Sequence, residues 1–203
     1  MNLHNPLPRF LTSALQRIWF VWTAIVFTVT GIIAFVGFVF IFNFCSKQRG
    51  YLYAYYLTKL WGKTLLALML VRVKVVGAEK VSEYKKRVGN SSFVLISNHQ
   101  SAMDIPFGMA SSPEPFSFLG KIEADKLPIV GYLCRHAHVY VDRKSEQSRQ
   151  ESYQRMKKHV NDGKSIHVFV EGTRNRSDEP LLKFHDGAFR LAIETQKPLA
   201  VLT

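Results

Sequence analysis

A proton acceptor and a carboxylate lie close together in Ser97-Asn98-His99-Gln100-Ser101-Ala102-Met103-Asp104, directly after the short apolar run Phe93–Ile96. Histidine takes a proton from an alcohol near neutral pH, and a carboxylate on its other ring nitrogen fixes the tautomer and stabilises the imidazolium. Five positions on a continuous helix would turn the two side chains about 140° apart. A loop must therefore fold His99 back toward Asp104 at the start of the next helix. Taken alone, the pair has a plainer explanation, with Asp104 a helix cap and His99 a polar strand end.

A second cluster, Phe169-Val170-Glu171-Gly172-Thr173-Arg174-Asn175-Arg176-Ser177, also follows an apolar run. Glycine lets the backbone turn tightly against a ligand, and arginine offers a planar fork matched to phosphate oxygens. A third stretch runs from Leu119 through Lys121 and Pro128 to Gly131, and Asp142-Arg143 closes the apolar alternation that follows. Lys121 and Arg143 are candidates to join Arg174 around one anionic ligand. As solvated loops, the same residues would be ordinary surface charge.

These clusters need elements to hold them. Short apolar runs at Phe93–Ile96, Phe116–Leu119, His138–Val141, Ile166–Val170 and Leu199–Leu202 read as strands, and Val71, Val73 and Val75 alternate with Arg72 and Lys74 as another. Helical stretches separate them, the clearest from Glu146 to Val160, stopped by Asn161-Asp162-Gly163. Strands alternating with helices predict an α/β domain over residues 71–203, with a mixed, mainly parallel sheet flanked by helices. Reactive groups in such sheets sit past the carboxyl ends of strands.

Residues 1–70 read differently. No charge interrupts the 29 residues from Ile18 to Ser46, more than the roughly 20 a helix needs to cross the hydrocarbon layer. A cleaved signal peptide would have a shorter apolar region, and Phe42-Asn43-Phe44-Cys45 offers no small-residue cleavage site. The length fits either one tilted span or a helical hairpin dipping into one leaflet. Tyr51–Leu70, with Lys59 and Lys63 four apart below Tyr, Trp61 and Leu residues, reads as an amphipathic helix lying at the interface, with an ordinary core-facing helix as the alternative because Gly62 weakens the pattern. Residues 1–70 are thus expected to be a membrane-associated helical segment. The basic stretch after Lys47 places that side in the cytoplasm.

Composition narrows the partners. The chain has 203 residues, 47% of them hydrophobic, and 27 Lys+Arg against 15 Asp+Glu give a formal charge of +12, which favours a polyanionic partner. Nucleic acid is set aside, because the sequence has no zinc-finger spacing, RNP-like string or recognisable helix-turn-helix, and an uncharged run of this length has no place there. Cys45 and Cys134 form no disulfide framework and lack structural-zinc spacing, so a reducing compartment and no metal are expected. Gly62-Lys63-Thr64 and Gly163-Lys164-Ser165 fail as phosphate-binding loops, since Leu57 and Lys158 stand where the first glycine is required. No G-x-S-x-G elbow occurs. Asn90-Ser91-Ser92 and Asn175-Arg176-Ser177 match the glycosylation triplet, which is irrelevant on a cytoplasmic face. The end at Thr203, directly after an apolar strand, suggests a truncated chain.

Four blocks in order make a specific resemblance. N-H-x-S-x-x-D around His99 and Asp104, the Lys121…Pro128…Gly131 string, Glu171-Gly172-Thr173-Arg174, and Pro198 before an apolar strand resemble the 1-acylglycerol-3-phosphate acyltransferase family, from about Val75 to the end. The resemblance implies His99 as general base on the acceptor hydroxyl and Asp104 as its orienting partner. It also implies an acceptor-phosphate site containing Lys121, Arg174 and Arg143, with Glu171, Gly172 and Thr173 shaping the loop that carries Arg174. Val170 departs from the proline usual before the Glu. The implied reaction moves a fatty acyl group from acyl-CoA or acyl carrier protein to a lysophosphatidic-acid-like acceptor at a membrane lipid surface, with no cofactor. An acceptor of another kind, a lyso-ornithine lipid or another lysophospholipid, and a non-catalytic lipid-binding protein are the rival readings. Backbone amides near His99 are the candidate oxyanion donors.

Overall fold

In a computed structural model, which describes residues 9–89, 92–126, 128–142 and 145–203, the apolar run winds into one uninterrupted helix, α1 (Arg9–Phe44). At about 1.5 Å per residue it is about 54 Å long, and Leu11–Phe44 is long and apolar enough to cross a membrane. Ile18, Phe20, Ile33, Val36 and Phe44 are all exposed along it. The chain turns at Cys45-Ser46 into α2 (Lys47–Leu68), which runs back along α1: Trp22 Nε1 donates to Leu68 O at 2.9 Å, and Trp61 Nε1 to Thr30 Oγ1 at 3.0 Å.

Helix α2 starts at Lys47 rather than Tyr51, and it does not lie on a surface by itself. It is packed between α1 and a helix of the α/β domain, α4 (Asp104–Ser111), burying Ala54, Tyr55, Trp61, Leu65 and Leu66. A Cβ on Gly62 would stand 2.8 Å from Met109 Cβ and 3.0 Å from Ala110 N, so the absent side chain is what lets α2 and α4 cross this closely.

The predicted strand at Val71–Val75 is not formed. Residues 71–76 pair with no strand, and most are exposed. Alternation of this kind describes a half-buried strand only where a neighbouring edge is at hand to pair with it. Helix α3 (Ala78–Val88) follows. The other predicted strands are present: β1 (Val94–Ser97), β2 (Phe116–Lys121), β3 (Val139–Val141), β4 (Ser165–Phe169) and β5 (Leu199–Leu202). They form one sheet in the order β3-β2-β4-β1-β5, parallel in every pair, so the sheet is purely parallel rather than mixed. The crossovers carry α4, a 3₁₀ turn (Ile122–Lys126) with α5 (Pro128–Ala137), α6 (Glu146–Asn161) and α7 (Gly187–Thr195). Helix α6 begins with Ser145 Oγ accepting from Ser148 N and ends one residue beyond the predicted limit.

Each sheet face has its own core. Leu95, Phe116 and Phe118 pack with Met109, Leu65 and Phe38 on the side of α1, α2 and α4, and Val94, Ile96, Ile166 and Val168 pack with Val160 and Leu191 on the side of α6 and α7. From β1 the chain leaves toward β2, and from β4 it leaves in the opposite direction toward β5. A crevice therefore opens past the carboxyl ends of these two neighbouring strands, at the switch point of the sheet.

Candidate active site

Ser97 is in register with Phe169, so the loops after β1 and β4 leave the sheet side by side at this crevice. In the first loop, Asp104 Oδ2 accepts from Gln100 N at 2.7 Å and from Ser101 N at 2.8 Å, which curls the chain into the tight turn that the five-residue spacing demanded. The same oxygen lies 2.8 Å from His99 Nδ1. An ionised carboxylate only accepts, so Nδ1 carries a proton, and in the neutral ring Nε2 is then the nitrogen with the lone pair. The imidazole also lies flat on Phe169, with ring centroids 4.1 Å apart and planes 18° apart, a contact worth about 0.5–1.5 kcal/mol.

The second loop is laced to the first. Glu171, 2% exposed, accepts from His99 N at 2.9 Å through Oε1 and from Leu182 N at 3.1 Å through Oε2. Asn175 N donates to His99 O at 2.6 Å. Gly172 takes φ +67°, in the left-handed region that costs glycine little. Asn175, buried, accepts from Ser177 N at 2.9 Å and from Ser177 Oγ at 2.7 Å, and donates to Glu179 O at 2.7 Å. Gln100 Nε2 reaches across to Pro180 O at 2.8 Å.

Between the braced residues, Thr173 is exposed and Arg174 half-buried, and Arg174 makes no hydrogen bond or ion pair among the described residues. Lys121, exposed, ends β2, the strand beyond β4, about 10 Å from the line of β1 at the usual strand spacing. Arg143 lies outside the described residues. His99, Asp104, Glu171, Gly172, Thr173 and Arg174 thus share the crevice, and Lys121 stands on its rim.

Of the expected oxyanion donors, the three nearest amides have other partners. The amides of His99, Gln100 and Ser101 are already committed to Glu171 and Asp104.

Two residues outside the predicted set support the site. Phe169 is the platform for His99, and its only sequence signal is that it ends a strand. His167, two positions before it, is buried against Phe116, Phe118 and Phe169, with Nε2 2.9 Å from Ser97 Oγ. Burial pushes its pKa down to about 4, with the neighbouring His99 adding a smaller push, so it stays neutral and adds no positive charge beneath the imidazole of His99. Asn175 belongs to the quoted cluster, and its Asn-x-Ser string is an Asx turn.

The arrangement can accept a proton at the crevice and hold an anion beside it. Residues 72–202 match the family described as Acyltransferase. A 1-acyl-sn-glycerol-3-phosphate acyltransferase of Borreliella burgdorferi is 28% identical over 142 residues, covering 70% of this chain and 54% of the relative. One from Saccharomyces cerevisiae is 30% identical over 139 residues, covering 66% and 44%. The chain spans about half the length of the curated relatives it matches. The crystal structure of the 1-acyl-sn-glycerophosphate acyltransferase PlsC from Thermotoga maritima superposes with a TM-score of 0.70 at 23% identity, over 95% of this chain and 73% of that one, and so shares its fold.

Proposed function

This chain belongs to the acyltransferase family, and on that premise we propose that it transfers a fatty acyl group from a thioester, acyl-CoA or acyl carrier protein, to the free hydroxyl of 1-acylglycerol-3-phosphate, giving phosphatidic acid. The observation that carries this reading is a base held by its own carboxylate, with a half-buried guanidinium in the adjoining loop that has no partner among the described residues. Relatives named for this reaction support the choice of acceptor.

In this reading His99 Nε2 takes the proton as the acceptor oxygen attacks the thioester carbonyl carbon. The tetrahedral oxyanion collapses, the carbon–sulfur bond breaks, and the imidazolium returns its proton to the leaving thiolate. No acyl-enzyme and no cofactor besides the donor is required. Asp104 holds the tautomer and stabilises the imidazolium. Arg174 and Lys121 take the acceptor phosphate, with Arg143 as a third cation, and fixing that phosphate supplies the positional advantage. The exposed apolar side of α1 enters a membrane, with the α/β domain on the cytoplasmic side.

A transfer assay on the intact, detergent-solubilised protein with paired donors and acceptors tests the proposal, alongside His99→Ala. Turnover of lysophosphatidic acid that falls about 10²–10⁴-fold in the variant is expected. Preference for a lyso-ornithine lipid or another lysophospholipid would move the acceptor. Donor binding without turnover would reduce the protein to a lipid-binding module.

A further inference from the structure

A groove of about 510 Å³ runs along the outer edge of β3, between that strand, α6 and the end of α5, with Ile122 beside it just past the end of β2. Its walls are cationic. Arg155 and Lys158 come from α6 and Arg135 from the last turn of α5. Positions 155, 158, 159 and 162 fall on one stripe of a 3.6-residue helix, which is why Arg155, Lys158, His159 and Asp162 enter the groove together. Asp162 is the one carboxylate in the lining, and Lys158 holds it at 2.8 Å.

Burial pushes the two lining histidines, His138 and His159, down to about 4, so the positive charge at neutral pH comes from arginine and lysine. His159 Nε2 is buried with no hydrogen-bond partner among the described residues. The groove is open along one side, which suits the charged end of a ligand whose remainder lies elsewhere.

The groove is also within reach of the crevice. From β1 to β3 is three strand spacings, about 14 Å, and β3 itself is about 10 Å long. The pantetheine arm of a thioester donor has a peptide-like backbone of roughly five residue-lengths, so about 17 Å extended. Its diphosphate and ribose lie beyond that.

The geometry points to this groove as the site for the nucleotide end of a coenzyme A thioester, with Arg135, Arg155 and Lys158 on its phosphates. The inference rests on the acyl-transfer reading and names its donor. Arg155 and Lys158 have side chains 52% and 76% exposed and pair one turn away with Glu151 and Asp162, so their reversal costs only surface ion pairs, and urea unfolding of the double variant checks that the fold is kept.

The test uses the intact protein carrying Arg155→Glu with Lys158→Glu. The KM for acyl-CoA is expected to rise about tenfold or more, with kcat and acceptor KM held. Turnover of acyl-pantetheine, which lacks the nucleotide, is expected to match wild type. Asp162→Asn, which removes the lone carboxylate, should lower the acyl-CoA KM two- to threefold, roughly the weight of one exposed charge.

Equal losses on both donors overturn the inference. So does a KM rise confined to acyl carrier protein, which would give the cations to an acidic protein. Calorimetric titration with adenosine 3′,5′-bisphosphate reads the groove apart from turnover: wild type binds and the double variant does not. Failure of wild type to bind overturns the groove even where acyl transfer proceeds, whereas binding by a protein that turns over no donor keeps the groove and removes the acyl-transfer reading. Sedimentation with vesicles containing anionic lipid should be the same for both proteins. Vesicle binding lost at unchanged acyl-CoA KM would assign the cations to lipid headgroups and overturn the inference.

Discussion

The loops after β1 and β4 leave the sheet side by side, yet they spend their polar groups in opposite ways. After β1, the amides of residues 99–101 and the Nδ1 proton are all committed to two carboxylates. After β4, the acid and the asparagine are committed, but Arg174 has no side-chain partner among the described residues. On the proposed mechanism the first loop fixes a proton-transfer pair, where a displacement of about 1 Å can cost about 10² in rate. The second keeps a cation ready. Glu171 belongs to both, because it braces its own loop at Leu182 and the other at His99.

The contrast breaks most visibly at Asp104. Asp104→Asn leaves the bulk of the side chain but offers His99 either the wrong tautomer or a donor facing a donor. A fall in kcat of about 10²–10⁴ with acceptor KM nearly constant is expected, and single-turnover kinetics retaining most of the rate would show that the first loop is not catalytic. Glu171→Gln comes next, since one of its two positions would then present an amide N–H to a backbone N–H. Stability should fall by about 1–3 kcal/mol, read by urea unfolding, together with a loss in kcat.

Arg174→Ala sharpens the comparison from the other side. Acceptor KM should rise about 10–100-fold while stability stays within about 0.5 kcal/mol. Lys121→Ala should act in the same direction and less, because it stands on the rim. If Arg174→Ala destabilised the protein as much as Glu171→Gln does, the two loops would not differ in kind.

The smallest effect separates the two histidines. His167 has a folded-state pKa of about 4 against 6.5 for the unconstrained side chain, so the unfolded chain takes up the proton first on acidification. Its contribution is complete above pH 6.5 and declines as pH falls toward 4. The loss over the first pH unit is about 1 kcal/mol. His138 and His159 are shifted alike, so unfolding midpoints measured from pH 7 to 5 should slope by the sum of the three, and His167→Asn should remove about a third of that slope.

A buried parallel strand reads as an unbroken apolar run, and β1 was legible on that ground; β2 and β4 were legible although Ser117 and His167 interrupt them, and β5, half-exposed at the sheet edge, from its apolar residues alone. The spacing of His99 and Asp104 was enough to require a folded-back loop, and the hydrogen bonds to Asp104 supply it. Val71–Val75 misled because alternation records a side-chain pattern and says nothing of whether a neighbouring edge is present. The role of Glu171 was hidden for a different reason: its partners are backbone amides 72 and 11 positions away, and any residue can offer those. For α2 the sequence left lipid and a protein core as alternatives, since an apolar stripe on a helix reads the same toward either, and the packing on α4 decides for the core.

The contact at Gly62 has a consequence for inheritance. The helix that begins with Asp104 is seated against the apolar hairpin at a point where even a methyl group would force the backbones apart. The hairpin cannot be exchanged for another anchor as an independent cassette. A graft would leave Met109, Phe116 and Leu95 without their cover, so shuffling events that split the chain near residue 70 should be recoverable only when both halves come from one parent.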